Sequence, residues 1–127
     1  MMHAQSRETL SGLSVLVVED ENLLALDYEA ALAEAGGVVL GPAPGEAEAF
    51  AILEERRPDV ALLDLNLNGV RPVALAEALG RMGVPFAIVS GYARRMDGER
   101  AFADAPRLTK PVDRQRLLPL LADLARR

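Results

Sequence analysis

Cysteine and tryptophan are absent from this 127-residue chain, and lysine occurs once, at Lys110. Without cysteine there is no disulfide framework and no thiolate metal site. With only two Tyr and three Phe, a core has to be built from Val, Leu, Ile and Ala. The single histidine, His3, stands in a polar N-terminal stretch with nothing nearby to orient it, so histidine catalysis is not expected. No apolar run approaches the roughly 20 residues that span a bilayer, and residues 1–12 read as a flexible tail without a signal-peptide core. A cytoplasmic protein with no membrane contact is expected. The net charge of −5 comes with no basic stripe, which argues against nucleic acid as a partner.

What is present is a regular alternation. Half of the residues are hydrophobic, enough for one packed domain at this length. The stretch 60–64, Val-Ala-Leu-Leu-Asp, is a continuous apolar run that ends in a carboxylate, preceded by the breakers Pro58 and Asp59 and followed by the turn signal Asn68-Gly69. Such a run reads as a strand covered on both faces. Residues 14–18 and 86–89 repeat the pattern, ending in Glu19-Asp20-Glu21 and Ser90-Gly91-Tyr92; shorter strands are expected at 38–40 and 108–109. Helices are expected between them. One is capped by Asn22, runs to about residue 35 and has Leu23, Leu26, Ala30 and Ala33 near helical spacing. A second covers about 45–55 with Ala47, Phe50, Ala51 and Leu53 inward, and a third about 72–82. A last, capped by Asp113, runs to about 125 with Leu117, Leu118, Leu121 and Leu124 inward and an awkward Pro119 inside. Residues 93–106 have room for only a turn or two, so the fourth helix is expected to be short or irregular. Strand–helix alternation of this kind implies an α/β fold with a parallel sheet and right-handed crossovers. Five strands suit the flavodoxin-like (βα)5 order 2-1-3-4-5.

In a parallel sheet all carboxyl ends lie along one edge. Glu19 and Asp20 follow strand 1, Asp64 ends strand 3, Ser90 ends strand 4, and Lys110 follows strand 5. Strands 1 and 3 flank the topological switch point, where open α/β sheets bind ligands. Each residue alone has a plain reading: a solvated acidic loop, a turn former, a turn serine. Together they place three carboxylates, a hydroxyl and the sole lysine around one crevice. Crowded acids with oxygen ligands only suit a hard divalent cation, Mg²⁺ or Mn²⁺. Asp64 is then a candidate carboxylate nucleophile that forms an acyl phosphate, with the Lys110 ammonium and the cation offsetting phosphoryl charge and Ser90 donating to a phosphoryl oxygen.

Val17-Val18-Glu19-Asp20-Glu21, Leu63-Asp64-Leu65-Asn66, Val89-Ser90-Gly91 and Thr109-Lys110-Pro111 together resemble the receiver domain of bacterial two-component response regulators. The resemblance covers about residues 13–126. It implies that Asp64 is the phosphoacceptor and that Glu19 and Asp20 are the acidic pair, Asp20 the more direct metal ligand. It also implies that Asn66 supplies a backbone carbonyl to the metal, that Ser90 is the switch hydroxyl, and that Lys110 contacts phosphate beside a cis Lys110–Pro111 bond. Two positions depart from the pattern. Leu67-Asn68 stands where Met-Pro is usual, and Arg107 stands where a switch aromatic is usual, for which Tyr92 is a candidate substitute. The run from Phe86 to Tyr92 is similar to the atypical receivers named for a Phe-Ala-Thr-Gly-Tyr pattern, in which the fourth helix is often weak.

The expectation is a stand-alone receiver over residues 13–127 with no output domain. It would be a phosphoacceptor signalling protein rather than an enzyme, taking its phosphoryl group from a sensor histidine kinase or phosphotransfer protein and losing it to water or another histidine. A downstream protein is expected on the face made by strand 4, strand 5 and the last helix, with Arg94, Arg95, Arg100 and Arg107 facing it. The alternative is a receiver-like interaction module that works without phosphate. An aspartate-nucleophile phosphatase is disfavoured because no second carboxylate is placed as a general acid. A flavin carrier is disfavoured because acids follow strand 1 where a phosphate loop would stand.

Overall fold

The computed structural model describes residues 9–91 and 100–127. Five parallel strands form one sheet in the order β2-β1-β3-β4-β5. The strands are β1 (Ser14–Val18), β2 (Val38–Ala43), β3 (Val60–Asp64), β4 (Phe86–Ser90) and β5 (Arg107–Thr109), as the alternating pattern predicts. Among the described residues the helices are α1 (Asn22–Glu34), α2 (Glu46–Glu55), α3 (Val73–Met82) and α4 (Arg114–Ala125). Between β4 and β5 the described residues form a single 3-10 turn, Arg100–Phe102. Tyr92, Arg94 and Arg95 lie outside the described residues.

The central strands β1, β3 and β4 are apolar apart from Ser14, Asp64 and Ser90 at their ends because each face of the sheet carries its own core. Side chains alternate across a strand. Val15, Val17, Val60, Leu62, Ala87, Val89 and Leu108 therefore pack on one face with Tyr28 and Leu32 of α1 and Leu117 and Leu121 of α4. Leu16, Val18, Ala61, Leu63 and Ile88 pack on the other with Ala49 of α2 and Leu75 and Leu79 of α3. Ser14 and Asp59 fix the start of β1 against β3. The Asp59 Oδ2 accepts from the Ser14 amide at 2.8 Å and hydroxyl at 3.1 Å, while the Asp59 amide donates back to the Ser14 carbonyl at 2.9 Å. That clamp sets the register that brings Glu19 and Asp64 to the same edge.

Several local expectations change. The buried face of α1 is Ala25, Tyr28, Ala31 and Leu32. Leu23, Leu26, Ala30 and Ala33 face outward, Leu23 and Leu26 being 76% and 60% exposed. The helix also begins one residue earlier than an Asn22 cap would place it, with Glu21 extended before it and no side-chain cap. In α2 the buried residue is Ala49, with Phe50, Ile52 and Leu53 packed beside it; Ala47 and Ala51 are exposed. β2 does not stop at Gly41-Pro42 but continues through it to Ala43, with a register shift opposite Leu16 and Val18. Residues 9–12, expected to belong to a tail, are tied by backbone hydrogen bonds to the end of α1, the Gly12 amide donating to the Gly36 carbonyl at 3.3 Å, while Ser11 and Gly12 stay exposed. Leu10 is fully buried and its amide donates to the Ala35 carbonyl at 2.9 Å. The apolar anchor at Leu10 outweighs its polar surroundings. Asp113 caps α4 as expected, accepting from the Gln115 amide at 2.9 Å, and the helix continues through Pro119.

Candidate functional site

The carboxyl edge of the sheet opens into a cleft of about 840 Å³ lined by Glu19, Asp20, Asp64, Asn66, Ser90 and Lys110, all six of the residues expected there from sequence. Asp64 is the last residue of β3 and only 3% exposed. Its Oδ1 accepts from the Asn66 amide at 3.0 Å and its Oδ2 from Lys110 Nζ at 2.9 Å. Lys110 is carried there by β5, whose ladder continues as the Lys110 amide donates to the Ser90 carbonyl at 2.9 Å. The Lys110–Pro111 bond is cis, as the sequence resemblance implies. Ser90, at the end of β4, is 7% exposed.

Glu19 is 2% exposed. Its amide donates to the Ala43 carbonyl at 2.9 Å, so β2 anchors the backbone, and its Oε2 accepts from the Glu21 amide at 3.0 Å. Its Oε1 has no hydrogen-bond partner; Lys110 Nζ stands 3.9 Å away, in ion-pair range only. Burial foremost, with the neighbouring Asp64 adding to it, pushes the Glu19 carboxyl up to about 8, against the opposing effects of the Glu21 amide and Lys110. Burial alone would lower the Lys110 ammonium, but the hydrogen bond to Asp64 and the charges of Asp64, Glu19 and Glu21 outweigh it and hold the ammonium above its ordinary value.

Carboxylate oxygens of Glu19, Asp20 and Asp64 lie within 4.8 Å of one another. When ionised, the three acids outweigh the one ammonium between them, and the buried Glu19 carboxylate then calls for further positive charge. An all-oxygen donor set of this kind fits a hard divalent cation. The loop after β3 completes the site. The Asn68 amide donates to Asp20 Oδ2 at 3.1 Å, and the Gly69 amide to Asn66 Oδ1 at 2.6 Å. Asn68 adopts a φ of 54° and Gly69 one of 84°, the left-handed region that Asn and Gly tolerate best. The Asn68-Gly69 signal thus has a structural purpose: it turns the chain so that Asp20 is held from across the cleft.

A family model, the response regulator receiver domain, matches residues 15–122. The chain belongs to that family. It is a receiver of two-component signalling. It is 30% identical over 119 residues to an uncharacterized response regulatory protein of Yersinia pestis, covering 90% of this chain and 49% of that one. It is 36% identical over 90 residues to the phyllosphere-induced regulator PhyR of Methylorubrum extorquens, covering 68% and 34%. The receiver thus spans half the length or less of these two relatives. A CheY-like receiver domain protein from Methanospirillum hungatei superposes with a TM-score of 0.78 over 92% of this chain and 94% of that one, at 24% identity, which bears on the fold.

Sequence reasoning named Glu21 without giving it a role and passed over Arg71 in the cleft and Tyr28 in the core. Arg71 lines the cleft as a second cation, and Glu21 contributes its backbone amide. Tyr28 is buried on the core face of α1. The signals were weak: an arginine two residues past a Gly turn, and a tyrosine among aliphatic residues. No helix among the described residues is long and apolar enough to cross a membrane.

Proposed function

We propose that Asp64 accepts a phosphoryl group from a phosphohistidine of a sensor kinase or phosphotransfer protein, in a reaction that depends on Mg²⁺ or Mn²⁺. The observation that carries this reading is the 2.9 Å contact between the buried Asp64 carboxylate and the only lysine of the chain, beside two further carboxylates. An Asp64 oxygen attacks phosphorus, the P–N bond to the imidazole breaks, and the imidazole leaves. Lys110 would shield charge on the transferring group, and Ser90, at the end of the adjacent strand, would donate to a phosphoryl oxygen. Glu19, Asp20, Asp64 and the Asn66 carbonyl would hold the divalent ion, which supplies electrostatic stabilisation of phosphoryl oxygens. The acyl phosphate is lost to water or passed to another histidine. The protein acts as a signalling switch rather than as an enzyme on an external substrate.

The donor needs a surface to dock on. Leu23 and Leu26 expose an apolar stripe on the first turns of α1, directly after the acidic pair, and Val70, 54% exposed, follows the cleft-lining Gly69. Apolar side chains on either side of the cleft suit a helical protein that presents its phosphohistidine over Asp64. The face of β4, β5 and α4 is the surface for a downstream partner; Arg107 of β5 is exposed. The test is incubation with acetyl phosphate and Mg²⁺ followed by intact mass measurement. One added phosphoryl group on the wild type and none on Asp64→Asn is the expected result; equal addition to both would sink the assignment.

A further inference from the structure

Among the described residues, two buried side-chain atoms have no hydrogen-bond partner: Glu19 Oε1 and Tyr28 Oη. The first belongs to the cleft. The second is on α1, where Tyr28 is 4% exposed. Tyr28 shares a core cluster with Val17, Leu62 and Leu108. Side chains two apart along a strand point to the same face, and the next positions in that parity are Glu19, Asp64 and Lys110. The phenol therefore belongs to the core on the face of the sheet toward which, by this parity, the three charged groups of the cleft also project. Its proton affinity agrees: burial foremost, then the charges of Glu19 and Asp64, hold the phenol above its ordinary range.

A buried hydroxyl or carboxylate oxygen left unpaired is destabilising, and buried waters usually satisfy such groups. We infer that Tyr28 is a positioning residue for Glu19, its hydroxyl joined to Oε1 through one internal water. Glu19 is then held at both oxygens, by the Glu21 amide on Oε2 and by Tyr28 on Oε1, and its carboxylate is kept facing Asp20 and Asp64. The functional consequence rests on the divalent-cation reading of the acid cluster; the contact itself does not. Hydrogen bonds behind a metal ligand fix its orientation, and losing one typically costs about tenfold or more in metal affinity.

Tyr28→Phe keeps the ring and removes only the hydroxyl. Mg²⁺ affinity is measured by calorimetry on the wild type and on this variant. In a second arm, Tyr92→Phe leaves Tyr28 as the only tyrosine of a chain without tryptophan, so its near-ultraviolet absorption is unmasked. That absorption is compared with and without Glu19→Ala, in chelator. The expected results are about a tenfold weaker Mg²⁺ affinity for Tyr28→Phe and a shifted Tyr28 spectrum in Glu19→Ala. An unchanged affinity, or an unchanged spectrum, overturns the proposal. If the wild type binds no Mg²⁺, the cation reading fails, and the spectral arm alone decides the link: a shift supports it and an unchanged spectrum overturns it.

Discussion

Replacing Glu19 by Gln should change how stability depends on pH. In the folded, metal-free protein the Glu19 carboxyl is buried beside Asp64 and is pushed from 4.5 up to about 8. Between those values the folded chain keeps a proton that the unfolded chain has lost. Stability therefore falls as pH rises, with a slope of about 1.4 kcal/mol per pH unit that flattens near the folded value. From about pH 6 to about pH 8 the loss is about 2 kcal/mol, a large part of the roughly 5–15 kcal/mol of a typical domain. Gln carries no titrating proton, so the variant should lose this slope. Mg²⁺ should act oppositely, since binding requires the deprotonated carboxylate: the wild type should release about one proton per ion bound and bind more tightly as pH rises to about 8. Urea unfolding in chelator at both pH values, wild type against Glu19→Gln, isolates the group from every other titration they share. Equal slopes for the two proteins would refute the reasoning.

Lys110→Met leaves the Asp64 and Glu19 carboxylates without their cation. Urea unfolding in chelator should show a loss of about 1–3 kcal/mol, below the fully buried limit because Lys110 is 26% exposed; with saturating Mg²⁺ the gap should narrow. Glu46→Ala removes the carboxylate that accepts from the Leu75 amide at 3.0 Å in the first turn of α3; chemical denaturation should show a loss of about 1 kcal/mol, with acetyl phosphate labelling unchanged. Leu62→Ala, in the fully packed β3, should cost about 3 kcal/mol in the same assay. Leu23→Glu together with Leu26→Glu should slow phosphotransfer from a kinase while leaving labelling by acetyl phosphate at its wild-type rate, a split that a damaged cleft would not give.

The centre of the sheet was legible because β1, β3 and β4 are buried on both faces. A run such as Val60–Leu63 has no amphipathic ambiguity, and each run ends on a polar residue that marks the carboxyl edge. The cleft was legible for the same reason: the strand order alone brings Asp64, Glu19, Ser90 and Lys110 to one edge. The helix faces were not legible. On α1, apolar residues occur on both sides, and Leu23 and Leu26 outrank Ala25 and Ala31 in hydrophobicity although only the alanines fit close to the sheet. Leu10 was missed because a single apolar residue in a polar stretch carries no period. Tyr28 was missed because its hydroxyl matters only through what lies above it in the fold, which spacing along the helix does not show.

Phosphotransfer from a phosphorylated histidine kinase is the most direct measurement of the central claim. With Mg²⁺ present, label should leave the kinase and appear on the wild-type protein as an acid-stable, base-labile acyl phosphate. It should not appear on Asp64→Asn, nor on the wild type in excess chelator. Label on Asp64→Asn equal to that on the wild type, or no label on the wild type from any kinase or from acetyl phosphate, would contradict the account.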